Sequence, residues 1–486
     1  MLMKDWEIDK LLEIGTMLSF EKNYERLLER ILTDIMELTS SDAGTLYLRE
    51  GDQLVFKIMR NNTLNSYQGG KGEAVDLPPV KITEKNVCAY ALIREKPINI
   101  EDVRLNREYD FSGPIQYDTM TGYHTKSMLV VPMKDRTDQV IGVMQLINAK
   151  DENGAIVPYS HDMERIVESV ACQTAIAMEN TQYVSEIREL FLSFVRAFSS
   201  VIDERIPFHA SHTRNMALYG AAFIDYLNKI YTDDNDRLHF SPEKKEAFLM
   251  SVWLHDIGKL TTPRSIMNKA TRLGYRRQEV LRRFDVITLQ LEKAELNGSL
   301  EQEAAENKLS EVRAAVELIL EADTADTISD DMRERMGQVA SHTYVDTDGI
   351  EKPWLTGEEL NCLSIYSGTL TAEEREIMKN HVVATERLLS QIHFSKEYEA
   401  VSSWACKHHE FLNGSGYPKH LTREELPKEA RIITILDIFE ALTASDRPYK
   451  PKMTSEKAGA ILTEMAEEGK LDAELVRLFM DSHCWE

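Results

Sequence analysis

Leu254-His255-Asp256-Ile257-Gly258-Lys259 closes an apolar helical run that begins near Ala247. Adjacent helical residues sit roughly 100° apart, so His255 and Asp256 cannot both face a core, and a polar pair there needs a partner such as a metal. Gly258 is expected to end the helix. A satisfied core histidine beside a solvated aspartate is the commoner explanation of such a pair alone, so the rest of the chain has to decide.

At 486 residues and 43% hydrophobic content the chain is long enough for two or three domains with their own cores. Its formal net charge of −24 disfavours nucleic-acid polymers and anionic membranes as partners, because both are bound through basic surface. A phosphate-bearing substrate would need a locally basic pocket. Cys88, Cys172, Cys362, Cys406 and Cys484 show no paired spacing and read as reduced packing residues. Met1 to Lys10 has no apolar signal-like core, and no stretch approaches the roughly 18 apolar residues of a membrane span, so a soluble, cytoplasmic protein is expected.

From Ile8 to about Leu38 apolar residues recur at three and four, as in amphipathic helices. Strand-like runs follow. Gly44-Thr45-Leu46-Tyr47-Leu48 and Leu54-Val55-Phe56-Lys57-Ile58 flank the turn signal Glu50-Gly51-Asp52, and Ser127 to Pro132 and Val140 to Asn148 flank the polar Lys134 to Asp138. Two hairpins and helices predict an α+β antiparallel-sheet domain over residues 8–180. The order of elements resembles a GAF domain. Asp118-Thr119-Met120-Thr121-Gly122-Tyr123-His124-Thr125-Lys126-Ser127 is similar to the segment before the central strand of GAF domains that bind cyclic nucleotides, and Asn148-Ala149-Lys150 with Asp162 and Glu164 loosely resembles their Asn-Lys…Phe…Asp motif. The likeness implies a small-molecule ligand of cyclic-nucleotide type near Thr121, Tyr123 and Asn148, or a domain used only for dimerisation and relay.

Between residues 163 and 201 the pattern becomes a heptad. Met163, Ile166, Val170, Gln173, Ala177, Asn180, Val184, Ile187, Phe191, Phe194, Phe198 and Val201 step by three and four, the seam of a coiled-coil linker helix in a parallel homodimer. Polar Gln173 and Asn180 would set its register. Such a helix could carry a change of register or rotation from sensor to catalytic domain.

Beyond it, His209 and His212 precede the pair His255/Asp256, and then come His381, the doublet His408-His409 before Glu410, and Asp437, each in an apolar helical setting. Several such residues in one domain argue for convergence on metal. Here residues 185–470 resemble the HD-GYP family, the branch of HD-domain phosphodiesterases that degrades cyclic di-GMP. The likeness rests on His255-Asp256-Ile257-Gly258-Lys259, on His408-His409-Glu410 through Gly414-Ser415-Gly416-Tyr417-Pro418, and on Arg431 through Asp437 to Arg447-Pro448-Tyr449-Lys450.

That resemblance implies metal ligation by His212, His255, Asp256, His381, His408, His409 and Asp437. Asp256 would bridge two divalent ions, with His212, His255 and Asp437 mainly on one and His381, His408 and His409 mainly on the other. Imidazole and carboxylate ligands without thiolate suit iron or manganese. The implied chemistry is hydrolysis of cyclic di-GMP to pGpG and then GMP, with Lys259 stabilising charge on the phosphoryl oxygen. Arg447 and Lys450 would contact phosphate or guanine, and Tyr417 is presented near the substrate from a turn-rich loop.

The chain also departs from the family pattern. Asn413, Phe411 and Asn215 replace the family's usual Asp, Arg and Arg, and Phe208 stands where some members have a Glu for a third metal, so two ions are expected. An insertion over residues 274–367 is too long for an ordinary loop. Val280, Leu281, Phe284, Ile287 and Leu291, then Leu309, Val312, Val316 and Ile319, flank Asn297-Gly298-Ser299 and predict a helical hairpin that covers the pocket, extends the dimer or binds a protein partner, as the GYP loop also could. His342 within it reads as a surface histidine. The expected architecture is a GAF domain, a long helix and an all-α HD-type bundle with a helical insertion. Two alternatives stay open: a catalytically silent nucleotide-binding or scaffold protein, and a hydrolase of another cyclic nucleotide or dinucleotide.

Overall fold

The structure is a computed structural model that describes residues 5–21, 23–70, 72, 75–205, 211–444 and 453–486. The chain divides into two compact units, Met1–Leu190 and Phe191–Glu486. No helix among the described residues is long and apolar enough to cross a membrane.

The first unit begins with helices α1 (Asp5–Phe20) and α2 (Tyr24–Leu38). The Asn23 side chain caps α2, and Leu27, Leu28, Ile31, Leu32 and Ile35 form its buried stripe. Strands β1 (Ser41–Glu50), β2 (Gln53–Asn61), β3 (Ser66–Gly69), β4 (Val80–Lys81), β5 (Ile98–Ile100), β6 (Met128–Lys134), β7 (Val140–Lys150) and β8 (Ile156–Val157) make one antiparallel sheet of order β3-β2-β1-β7-β6-β5. Helices α3 (Val87–Arg94) and α4 (Ser112–Thr121) interrupt the strands, and α5 (His161–Arg205) follows them. Alternation along the strands feeds two cores. Leu46, Leu129, Val131 and Met144 join the core of α2 and α5, whereas Tyr47, Met128, Val130 and Val143 join that of α3. The α+β sheet domain with both hairpins is as expected, with Gly51 turning β1 into β2 at φ +60°.

Helix α5 corrects part of the heptad reading. Val167, Val170, Ala171, Ala175 and Met178 in its first half belong to the sheet domain's own core, and Gln173 and Asn180 face outward, Asn180 accepting a hydrogen bond from Arg136 Nη2 at 2.7 Å. A helix can serve one core with only one stripe, and here the sheet claims it. Farther along, Val184 and Ile187 (each 67% exposed), Leu190, Phe194, Phe198 and Val201 stand exposed.

The second unit is helical: α6 (His212–Ile230), α7 (Pro242–Leu254), a 3-10 turn (Ile257–Thr261), α8 (Arg264–Met267), α9 (Arg277–Leu296), α10 (Gln302–Thr324), α11 (Asp330–Ser341), then strands β9 (Thr343–Val345) and β10 (Glu351–Pro353), and α12 (Gly357–Leu363), α13 (Ala372–Lys379), α14 (His381–Leu389), α15 (Val401–Ala405), α16 (Lys428–Thr443), α17 (Ser455–Glu467) and α18 (Ala473–Ser482). Met216, Phe223, Phe248, Val252, Leu389, Ile433, Leu436 and Phe479 fill one core between these helices.

The insertion is more than a helical hairpin. Helices α9 and α10 pair around Gly298 as their periodicity predicts, but α11, the β9–β10 hairpin and α12 complete a small core in which Phe284 meets Trp354 edge-on at 5.5 Å. Two short strands carry too few alternating residues to stand out in the sequence. Arg272, only 1% exposed, ties this core in by donating to the carbonyls of Ala322, Ala325 and Ile365. His342 is exposed, stacked on Trp354 at 4.7 Å.

Candidate metal centre

The second unit's core brings helix ends together. Helix α7 ends at Leu254, so His255 and Asp256 sit at its C-terminus, while His212 and His381 are the first residues of α6 and α14. His408 and His409 follow α15, and Asp437 projects from the middle of α16. Gly258 does not end the helix, as its position suggested; it lies inside the 3-10 turn with an ordinary backbone. A Cβ there would come within 1.9 Å of His381 O and 2.5 Å of Thr385 N, so glycine is required by the close approach of this turn to α14. Thr385, fully buried, clamps the contact by accepting from Gly258 N at 3.0 Å and donating to His255 O at 3.1 Å.

Asp256 lies at the centre. Its Oδ2 is 3.1 Å from His255 Nε2 and 4.0 Å from His212 Nε2, whereas its Oδ1 is 3.3 Å from His381 Nε2 and 3.8 Å from His408 Nε2. Asp437 reaches His212 Nε2 at 3.3 Å with Oδ1 and His409 Nδ1 at 3.7 Å with Oδ2. His381, His408 and His409 form one group able to hold an ion, His212, His255 and Asp437 another, and His255, Asp256 and His408 a third.

Proton positions follow from the other ring nitrogens. His255, His381 and His408 donate through Nδ1 to the carbonyls of Val252 at 2.7 Å, Met378 at 2.6 Å and Ala405 at 2.6 Å. A carbonyl only accepts, so Nδ1 carries the proton and, in the neutral ring, each Nε2 presents a lone pair. These three nitrogens and Asp256 Oδ1 are buried without a hydrogen-bond partner. Acceptors facing acceptors in a buried pocket are costly unless a cation fills it, and imidazole backed by a backbone carbonyl is the usual arrangement of a metal-ligating histidine. The donor set fits divalent metal.

Charge in the pocket is uneven. Burial resists ionising Asp256, but His255 and Lys259 outweigh it and hold the carboxyl well below the usual range. Asp437 is likewise held low by His212 and His409 against its burial. Burial opposes charging His212, yet Asp437 and Glu440 push it up to about 10. Burial drives His408 well below the ordinary imidazole value, with His409 and His255 adding to it, and takes His409 down to about 4. Lys259 sits with Nζ on Asp256 Oδ2, where Asp256 and Asp437 raise its pKa against the effect of burial.

Tyr417 stacks on His409 at 4.8 Å and 27°. Its loop is organised by buried Glu410, whose carboxylate accepts from Lys419 N at 2.7 Å and Leu421 N at 2.9 Å, and by Gly416, where a Cβ would strike His409 O. Arg447 and Lys450, like Phe208 and His209, lie outside the described residues. The sequence reading missed Glu440, which takes a hydrogen bond from His212 Nδ1 and another from Asn215 Nδ2 at 3.1 Å. The available signal was its place three residues after Asp437, on the same helix face within an apolar run.

The residues expected near a GAF ligand do not converge on an open pocket. Thr121 is exposed at the end of α4, its hydroxyl donating to Tyr117 O at 2.7 Å. Tyr123 and Asn148 are buried in a closed network: Tyr123 OH donates to Asp42 Oδ2 at 2.8 Å, Asn148 Nδ2 donates to Tyr123 OH and His124 O, and Asn148 Oδ1 accepts from Lys126 N. Lys150, two residues along the same strand face, pairs with Asp42. These groups spend their polar capacity on the protein. A groove of about 550 Å³ elsewhere in this unit, lined by Arg30, Asp34, Arg60 and Tyr67 among others, includes none of the three.

Comparison with known proteins agrees with the two units. The GAF-domain family model matches residues 23–178 and the HD-domain model residues 357–475. The HD match contains His381, His408, His409 and Asp437; His212, His255, Asp256 and Lys259 precede it, across the insertion. The chain is 39% identical over 104 residues to the cyclic di-GMP phosphodiesterase response regulator RpfG of Xanthomonas campestris pv. campestris, an alignment covering 21% of this chain and 26% of that protein. It is 37% identical over 104 residues to 3'3'-cGAMP-specific phosphodiesterase 3 of Vibrio cholerae, covering 21% and 22%. With the cyclic di-GMP phosphodiesterase of Thermotoga maritima it shares 38% over 114 residues, covering 23% and 30%. The chain thus spans 22–30% of the length of these relatives. It joins a GAF domain to an HD domain, and its similarity is to proteins named as cyclic di-GMP and 3'3'-cGAMP phosphodiesterases.

Proposed function

We propose that this chain is a cytoplasmic metal-dependent phosphodiesterase that hydrolyses cyclic di-GMP to pGpG, with GMP as a further product, under control of its GAF domain. The observation that carries the reading is the set of buried, unpartnered nitrogen and oxygen atoms converging on Asp256, an arrangement that suits a bound cation. His212, His255 and Asp437 would mainly hold one divalent ion and His381, His408 and His409 the other, with Asp256 shared between them. Nitrogen and oxygen donors without thiolate suit iron or manganese. Such ions supply Lewis acidity toward a phosphodiester oxygen and lower the pKa of a water. Lys259 brings an ammonium to the same point, where negative charge grows on the phosphoryl oxygen. Tyr417 fixes the ring plane of His409 and borders the substrate, and Arg447 and Lys450 are the proposed contacts to phosphate or guanine.

A second substrate, 3'3'-cGAMP, is favoured by the relative specific for it. The deciding experiment measures metal content of anaerobically purified protein together with turnover of cyclic di-GMP and 3'3'-cGAMP, in the wild type and Asp256→Ala. Two metals per chain and hydrolysis abolished by the substitution support the binuclear enzyme, and the faster substrate identifies its preference. Absence of both metal and turnover favours a scaffold.

The exposed stripe from Val184 to Val201 supports a parallel homodimer along α5, which light scattering of wild type and Ile187→Glu/Phe194→Glu would test. A small ligand of the GAF domain and a protein partner at the Gly414–Pro418 loop or the insertion complete the proposed set.

A further inference from the structure

The two halves of the metal centre differ behind their ligands. His255, His381 and His408 each rest Nδ1 on a neutral backbone carbonyl. His212 alone among these four donates Nδ1 to a carboxylate, Glu440 Oε2. Glu440 is 2% exposed and is oriented from its other oxygen by Asn215 Nδ2. Glu440 and Asp437 stand one helical turn apart on α16, so the helix that carries a ligand also carries the group behind the neighbouring ligand. An anion behind imidazole raises the basicity of the far nitrogen and fixes the ring more firmly than a neutral carbonyl does. The position of His212, His255 and Asp437 therefore has an anionic ligand of its own and an anion-backed imidazole. The position of His381, His408 and His409 has three imidazoles, one of which, His409, is steadied by stacking on Tyr417.

On the binuclear reading proposed above, we infer that Glu440 is a positioning residue that makes the His212/His255/Asp437 position the tighter of two unequal metal sites. The first ion binds there, and the second binds at His381/His408/His409. Asn215, which breaks the family pattern in the sequence, has its place here as the residue that holds Glu440.

Calorimetric titration of the chelator-stripped full chain with Mn²⁺ tests this without any assay of turnover. The wild type should bind two ions in two resolved phases. Glu440→Gln, which keeps an acceptor for His212 but removes the charge, should weaken the tighter phase by about 10- to 100-fold and leave the weaker phase within about threefold. Asn215→Ala should weaken the tighter phase to a lesser extent. Circular dichroism and the thermal midpoint of each stripped variant show whether it is folded. Equal loss in both phases by a folded Glu440→Gln overturns the inference in favour of general structural support, and so does an unchanged tighter phase. Two equal phases in the wild type overturn it while leaving the binuclear site intact. One ion or none in the wild type overturns the binuclear reading itself.

Discussion

Gly258→Ala isolates the packing that holds the centre together. The added Cβ would lie 1.9 Å from His381 O, whereas real Cβ atoms stay beyond 3.0 Å, so the 3-10 turn and α14 must separate by about 1 Å. Overpacking of this kind costs about 1–3 kcal/mol. Loss of the buried Gly258 N–H to Thr385 Oγ1 bond adds about 1–3 kcal/mol. At roughly 2 °C per kcal/mol for a unit of this size, the thermal midpoint should fall by about 4–12 °C. The same separation carries His381 away from Asp256 Oδ1, now 3.3 Å distant, and a shift near 1 Å in a reacting constellation costs on the order of 100-fold in rate. The assay is thermal unfolding together with Mn²⁺ titration of the stripped chain, with Thr385→Ser as a control that retains the hydroxyl. A Gly258→Ala protein with wild-type midpoint and wild-type metal binding would refute the packing argument.

Lys259→Ala removes the ammonium beside Asp256 and should lower turnover about 100-fold with metal content unchanged; loss of metal instead would make Lys259 a structural partner of the centre. In the GAF domain, Asn148 holds a left-handed backbone (φ +57°) and three hydrogen bonds, so Asn148→Ala should destabilise that unit by about 2–4 kcal/mol, read as a lower first unfolding transition with Mn²⁺ binding unaffected. Lys428 supplies a pH test away from the metal. Burial, with Lys244 nearby, takes its pKa down to about 8, against the pull of Glu429 and Asp236, and its ammonium shares the Phe240 ring with that of Lys244. Between about pH 8 and the unfolded value near 10.4 the unfolded chain binds more protons, so stability contributed by this group rises with pH across that window and is lowest below it. Thermal midpoints against pH should lose that upward slope in Lys428→Met, and an identical slope in both proteins would discount the burial of Lys428.

The sheet domain was legible because its strands are short apolar runs bounded by turn signals, Gly51 in one hairpin and the polar Lys134 to Asp138 in the other, so β1, β2, β6 and β7 could be placed before any contact was known. Polar residues such as His255, Asp256, His381, His408, His409 and Asp437 drew notice because polar groups in apolar helical runs need a reason, while their selection with His212 as a ligand set came from the family resemblance. Partners distant in sequence could not be read this way. Which oxygen of Asp256 faces which histidine, why Gly258 admits no side chain, and that Glu440 stands behind His212 depend on helix ends meeting across the core. Tyr123 and Asn148 make the same point from the other side, since their types suit a ligand site and only their neighbours Asp42 and Lys150 reveal a closed network. Local periodicity and chemistry are properties of the chain and were determined by the sequence alone; direction, distance and saturation of each polar group belong to the packed interior, and the tertiary structure decided them.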